Sequence, residues 1–327
     1  MQAEAAVSMR DTAAVAVLPN GPGRVRLVEL PDRSAPAGSD VLVRMIRAPI
    51  NPADLLAIDG QYSVTLGASD PLGAEGVGMV EAVGSDVADL RPGDLVLPLT
   101  RGNWCSMRLI DRQSLWRLPP DIDVEQAAMV RINPPTARLM LDAVAARAGE
   151  VVVQNGATSA VAHWVRRIGA ERGITVIDIV RRPDAALPDA LLDGPGLAER
   201  VRAVAGDRRV VAALDCVAGE ATGQLAECLA RGGRLLVFGH LSGAPISVRS
   251  QLLTGGGLTI GGFSLRPAES ALDADARAAL FAEAVATVMV DSSAPPVRAV
   301  RPLTDVEAAI ALARDGGRGR VQIDLMR

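Results

Sequence analysis

A chain of 327 residues, 49% hydrophobic and 22% charged, carries material for two cored domains, and a net charge of −4 with scattered basic residues leaves no electrostatic footprint for nucleic acid. No run approaches the roughly 20 apolar residues of a membrane span and no basic-then-apolar leader pattern opens the chain, so a cytoplasmic protein is expected. All 34 basic residues are arginine, which excludes Schiff-base and lysine-base chemistry. Cys105, Cys216 and Cys228 with His163 and His240 lack the spacing of a metal site, so no metal is expected and the thiols read as reduced and packed.

In chain order, a loose extension over the first ten residues leads to apolar runs at 12–18 and 24–30. Between them lie Pro19, Asn20, Gly21, Pro22 and Gly23, the grammar of a hairpin. Runs at 41–46, 76–83, 94–98 and 107–110 continue as strands, which makes a partly closed β-barrel the simplest first domain. From about residue 120, helices at 124–129, 134–146, 160–172 and 222–231 alternate with strands at 151–154, 175–180, 210–215 and 234–238. That alternation predicts a parallel sheet with right-handed crossovers. Residues 252–260 read as its last strand region. Beyond 267, helices at 274–288 and 305–314 and a strand at 321–325 either return to the barrel or cap the sheet.

The stretch 149–183 is the most informative. The strand Val151, Val152, Val153, Gln154 runs into a turn of Asn155, Gly156, Ala157, Thr158 and Ser159. A helix opens at Ala160 and Val161, and a second strand ends on Arg181 and Arg182. Backbone N–H groups at a helix start suit a pyrophosphate, and a guanidinium after the second strand suits an adenosine 2′-phosphate, so NADPH is the expected cofactor. Ala160 and Ala162 stand where further glycines are expected, which keeps open a second reading: a unit retained for shape in a non-catalytic binding or scaffold protein.

Gly73, Glu75, Gly78 and Gly84, followed by Pro92, Gly93 and Asp94, resemble the glycine signature of the medium-chain dehydrogenase/reductase superfamily, and the resemblance spans nearly the whole chain. Ala74 stands where the zinc-dependent branch has a histidine, and Asn51 to Asp54 where it has a cysteine, so the likeness is to the zinc-free branch. Several segments look most like the mitochondrial-type trans-2-enoyl-CoA/ACP thioester reductases. They are Ile50-Asn51-Pro52-Ala53-Asp54 with Asp59-Gly60-Gln61-Tyr62, Ile132-Asn133-Pro134-Pro135-Thr136-Ala137, Val153-Gln154-Asn155, Val180-Arg181 and Asp215-Cys216-Val217. Quinone oxidoreductase-like proteins are the neighbouring relatives.

This resemblance implies an α/β fold: a Rossmann doubly wound parallel sheet over 121–265 and a GroES-like, partly closed β-barrel domain over 1–120 and 266–327. It implies NADPH-dependent reduction of an activated C=C bond in a 2-enoyl thioester, with Tyr62 handling the proton and Asn51 near the nicotinamide ribose or substrate carbonyl. Asn133 and Thr136 would line the cofactor cleft, Asn155 to Val161 would hold pyrophosphate, and Arg181 then Arg182 would take the 2′-phosphate. Cys216, Phe238, Gly239, His240 and Phe263 would complete the cleft, Phe263 standing where a tryptophan is usual beside the acyl tunnel. Turn and cap roles are the alternatives for Asn51, Asn133 and Thr136. A quinone or α,β-unsaturated ketone reductase is the alternative activity. Leu252, Leu253, Leu258 and Ile260 would form an edge strand that pairs two copies into a homodimer, or else an ordinary buried strand.

Overall fold

The hairpin grammar at the start folds as expected: β1 (Val15–Pro19) pairs antiparallel with β2 (Val25–Glu29). The computed structural model describes residues 14–30, 35–61, 67, 69–290 and 295–326. In β3 (Asp40–Pro49), strict alternation buries Val41, Val43 and Met45 on one face. A short helix, α1 (Pro52–Ile58), is followed by β4 (Val77–Val83), β5 (Leu95–Pro98), β6 (Met107–Asp111), β7 (Leu115–Arg117) and α2 (Val124–Ala127). The length of β3 lets it hold three antiparallel partners: β4 along one edge and, through different segments, β6 and the chain's final strand. Gly73 has φ of +100°, and a Cβ there would lie 2.4 Å from the Trp104 ring, so the signature glycine seats the fully buried Trp104.

The second unit is built on a sheet whose central strands are largely buried on both faces. Its elements are α3 (Asn133–Val144), β8 (Val151–Gln154), α4 (Ala160–Glu171), β9 (Thr175–Val180), β10 (Leu191–Leu192), α5 (Leu197–Ala205), β11 (Val210–Asp215), α6 (Glu220–Cys228), β12 (Arg234–Val237), α7 (Ser250–Thr254), β13 (Thr259–Gly262), α8 (Leu265–Ser270) and α9 (Ala274–Val290). The six strands are all parallel, in the order β10-β9-β8-β11-β12-β13. Renumbered within the sheet this is 3-2-1-4-5-6, the doubly wound order. The chain then supplies β14 (Val297–Pro302), α10 (Val306–Arg314) and β15 (Arg320–Asp324), and the barrel sheet runs β14-β15-β3-β4-β5-β7.

Three expectations change. Residues 252–260 are not one strand: Leu252 and Leu253 sit on α7, a glycine run at 255–257 ends that helix, and only Thr259–Gly262 pairs with β12. Leu258 is buried in the core of this unit, which removes three of the four leucine and isoleucine side chains from the proposed edge strand. The chain divides into one unit ending at Arg131 that also takes in Val288–Ser292 and Pro296–Arg327, and a second of Ile132–Thr287 with Ser293–Pro295, rather than at 120 and 265. The reason lies in α9, where Leu280 and Phe281 are buried and Glu283 pairs with Arg138 of α3, so the residues from 266 to 287 stay with the parallel sheet.

Candidate active site

Strand register decides which side chains of the second unit meet. Gln154 lies opposite Asp178 and Leu214, Asp215 opposite Val237, and Val237 opposite Gly262. The residues that leave these strands, Asn155, Arg181, Cys216, Phe238 and Phe263, therefore emerge along one carboxyl edge. Strand order reverses between β8 and β11, and ligands of doubly wound sheets sit in the crevice outside that switch point.

Asn155 ties the two sides of the crevice together. Its Nδ2 donates to Asp215 Oδ1 at 2.6 Å and its Oδ1 accepts the Cys216 N–H at 2.8 Å. The fully buried Asp215 carboxylate also accepts N–H bonds from Val217 and Ala218 and the Thr222 hydroxyl at 2.6 Å, so its desolvation is offset by four donors. Gly156 follows at φ +58°, and a Cβ there would lie 2.3 Å from Cys216 Sγ. Burial, with the Asp215 charge adding to it, pushes the Cys216 thiol up to about 12, so it serves as packing and not as a nucleophile.

The helix start is built to expose donors. Ser159 Oγ accepts the Ala162 N–H at 3.2 Å, while the N–H groups of Ala160 and Val161 have no acceptor among the described residues. Ala160 and Ala162 are both buried, and Gln154 Nε2 donates to the Ala162 carbonyl at 3.0 Å. The two methyl groups are thus accommodated in the packed interior while Gln154 ties the first turn of α4 to the end of β8. Thr158 at the tip is exposed and Ala157 buried. Arg181 and Arg182 are exposed at the end of β9, and neither is held in an ion pair or hydrogen bond among the described residues. Asp178, a carboxylate within β9, is buried and bonded to Gln154 and Arg166, so it is not presented to a ribose. Burial raises its pKa and the Arg166 charge opposes that. Free donors at a capped helix start and two unpaired guanidiniums fit a phosphorylated dinucleotide.

Phe238 and Phe263 are half-buried and donate backbone N–H bonds to Asp215 O and Val237 O, at 2.8 and 2.9 Å. Gly239 follows, and His240 is exposed. Asn133 and Thr136 are buried in the first turn of α3, which has no side-chain cap, so neither acts as one. His163 stacks edge-on against Trp164 with ring centroids 5.0 Å apart, as a structural residue would.

The first unit holds a buried polar cluster around Asn51. Its Nδ2 donates to Glu75 Oε1 at 2.9 Å, and its backbone N–H to Asp54 Oδ2 at 2.9 Å. Asp54 also accepts the Ala74 N–H at 2.8 Å and faces Arg101 at 3.3 Å. Burial raises the Asp54 pKa against the pull of Arg101, and burial lowers that of Arg320, which Glu75 and Asp54 counter. Glu75 stood in the signature only as a landmark, and its grip on Asn51 from 24 positions away carries no sequence signal. The backbone segment leading to Tyr62 is anchored by a two-pronged Asp59–Arg314 pair at 2.6 and 2.9 Å. Tyr62 itself lies outside the described residues. No cluster of three or more potential metal-ligating groups occurs among the described residues.

A barrel sheet followed by a doubly wound sheet with this turn defines a medium-chain dehydrogenase/reductase. The alcohol dehydrogenase GroES-like domain model matches residues 37–118. The mitochondrial enoyl-[acyl-carrier-protein] reductase of Xenopus tropicalis is 30% identical over 317 residues, 89% of this chain and 88% of its own. A structure of Etr1p, from Candida tropicalis, as a complex with NADP and crotonyl-CoA superposes with a TM-score of 0.84 at 21% identity, over 96% of this chain and all of the other. A candidate NADPH:quinone reductase of Bacillus thuringiensis superposes with a TM-score of 0.86 at 24% identity, over 96% of this chain and 99% of the other. The chain belongs to the mitochondrial-type enoyl thioester reductases of that superfamily, and it is an oxidoreductase. The cytoplasmic expectation is overturned by this kinship: the enoyl reductase relatives are mitochondrial proteins, and the absence of a membrane-span run and of a leader pattern does not fix a compartment.

Proposed function

We propose that this chain reduces 2-enoyl thioesters with NADPH, delivering hydride to Cβ and a proton to Cα, without zinc. The observation that carries the cofactor reading is the pair of unpaired guanidiniums, Arg181 and Arg182, standing at the carboxyl edge beyond the Gly156 turn. The name of the Xenopus relative and the crotonyl-CoA in the Etr1p complex support the substrate class. NADPH, when bound, supplies the hydride. Ala160 and Val161 N–H groups bind pyrophosphate, and the two arginines bind the 2′-phosphate. Negative charge develops on the thioester oxygen as Cβ is reduced, and a neutral phenol with an ordinary pKa of about 10 donates the proton that completes the Cα–H bond; Tyr62 fills that role. Asn51, whose rotamer Glu75 fixes, keeps its second amide N–H for the ribose or the thioester carbonyl. The identity of residues 51 and 74, asparagine and alanine, supports a reaction run without zinc.

The carrier is CoA or acyl carrier protein, and the smaller Phe263 ring bears on the acyl chain it accepts. β13, the outermost strand of its sheet, is read as the edge through which two copies pair. Fluorescence titration with NADPH and NADH tests the cofactor reading. Micromolar NADPH binding, much tighter than NADH, supports it, and equal or absent binding of the two overturns it. Tyr62→Phe then separates the activities: loss of about 10²–10⁴ in thioester turnover with NADPH binding intact supports a proton donor. Unchanged turnover with equal use of quinones favours a quinone reductase.

A further inference from the structure

The turn between β8 and α4 is held by a set of side chains that the cofactor contacts above do not use. Arg166, on the second turn of α4, donates from Nη1 to the Ala157 carbonyl at 2.8 Å and to both Asp178 oxygens at 3.1 Å. Asp178 Oδ1 in turn accepts from Gln154 Nε2 at 2.7 Å, and the same nitrogen donates to the Ala162 carbonyl at 3.0 Å. One buried carboxylate therefore ties together the end of β8, the interior of β9, the tip of the turn and the first turn of α4.

The consequence for the turn is geometric. In a trans peptide the carbonyl and the following N–H point in opposite directions. Arg166 draws the Ala157 carbonyl back toward α4, so the Thr158 N–H is turned away from it, toward the exposed tip of the turn. Without that tether, the Ala157–Thr158 peptide loses the side-chain bond that fixes its carbonyl direction, while the Ala157 N–H keeps only a long 3.5 Å bond to Ile179 O. Alanines at 160 and 162, in the first turn of α4, leave the phosphates less clearance than glycines would, so the amide directions of the preceding turn have to be set in advance.

We propose that Arg166 and Asp178 are positioning residues for the dinucleotide: their pair fixes the Ala157–Thr158 peptide so that the turn meets the pyrophosphate preformed. This rests on the NADPH reading above and assigns the pyrophosphate affinity to a pair that touches no part of the ligand.

The test compares wild type, Arg166→Met, Arg166→Lys and Asp178→Asn for binding of NADPH and of adenosine 2′-monophosphate, which has the 2′-phosphate but no pyrophosphate. The expected result for Arg166→Met is a loss of about tenfold in NADPH affinity, with adenosine 2′-monophosphate affinity and kcat at saturating NADPH unchanged. Asp178→Asn should lose part of this, the double variant no more than Arg166→Met alone, and Arg166→Lys should recover part of it. Equal weakening of both ligands would reduce the pair to general support of the fold and overturn the proposal. Unchanged NADPH affinity in Arg166→Met, in a protein whose wild type binds NADPH, would overturn it while leaving the reductase reading intact. A wild type that binds neither ligand would overturn both.

Discussion

Gly156→Ala probes the join between the turn and β11 most sharply. The native φ of +58° costs an alanine about 1–2 kcal/mol. Its methyl carbon would sit 2.3 Å from Cys216 Sγ, well inside contact distance. That sulfur cannot swing away cheaply, because Cys216 is 6% exposed and its N–H is held by Asn155 Oδ1 at 2.8 Å. Overpacking of this kind costs about 1–3 kcal/mol, so the substitution should destabilise the protein by about 2–5 kcal/mol and weaken NADPH binding through the displaced turn. Cys216→Ala alone removes one buried sulfur and should cost about 1 kcal/mol. In the double variant the new methyl fills the space left by the sulfur, so the steric part is relieved and only the backbone strain remains. Urea denaturation of the four proteins measures this as a coupling energy of about 2–4 kcal/mol in the favourable direction, the relieved overpacking plus the filled cavity. Additive single effects, or a Gly156→Ala protein as stable as wild type, would refute the packing account.

Arg181→Ala should weaken NADPH by about 10–100-fold, the worth of a charge-assisted phosphate contact of about 1.5–3 kcal/mol, and leave NADH binding unchanged in the same titration. Asn51→Ala leaves the buried Glu75 carboxylate without one donor and should cost about 1–3 kcal/mol of stability. It should also lower kcat more than it changes NADPH affinity, which steady-state kinetics will separate. Cys216 and Cys228 are both pushed from 9.0 to about 12 by burial, so the folded state keeps its protons where the unfolded state releases them. Stability should therefore be insensitive to these thiols below pH 9 and fall as pH rises from 9 toward 12, and native protein at pH 8 should resist thiol alkylation until it is unfolded.

The parts of the fold legible in the sequence are those written by local pattern. The runs Val151–Gln154, Thr175–Val180 and Val210–Asp215 are short, β-branched and bounded by turn residues or charges, and their limits match the structure residue for residue. The segment around Leu252 misled because its four apolar residues within nine are divided between a five-residue helix, a glycine break and a four-residue strand, and no single period describes all three. Strand β14 went unrecognised because Arg298 and Arg301 stand three positions apart and break the period-2 pattern of a strand, so its identity depends on pairing with β15.

Of the candidate site, the residues at strand ends were legible because parallel register brings them to one edge whatever their side chains do. The partners were not. Glu75 for Asn51, Asp215 for Asn155 and the Arg166–Asp178–Gln154 set join positions 12 to 60 apart, and only the folded chain brings them together. A trace was nonetheless present: Gln154 and Asp178 are polar residues inside otherwise apolar strands, and such residues have to find partners.

Turnover of a 2-enoyl thioester is the most direct test of this chain's activity. Purified protein given crotonyl-CoA and NADPH should consume both one-for-one, seen as loss of nicotinamide absorbance and formation of butyryl-CoA. Its kcat/KM for the thioester should exceed that for a simple quinone by orders of magnitude, and NADH should be a poor substitute. Faster reduction of the quinone, or no thioester reduction by protein that binds NADPH, would contradict it.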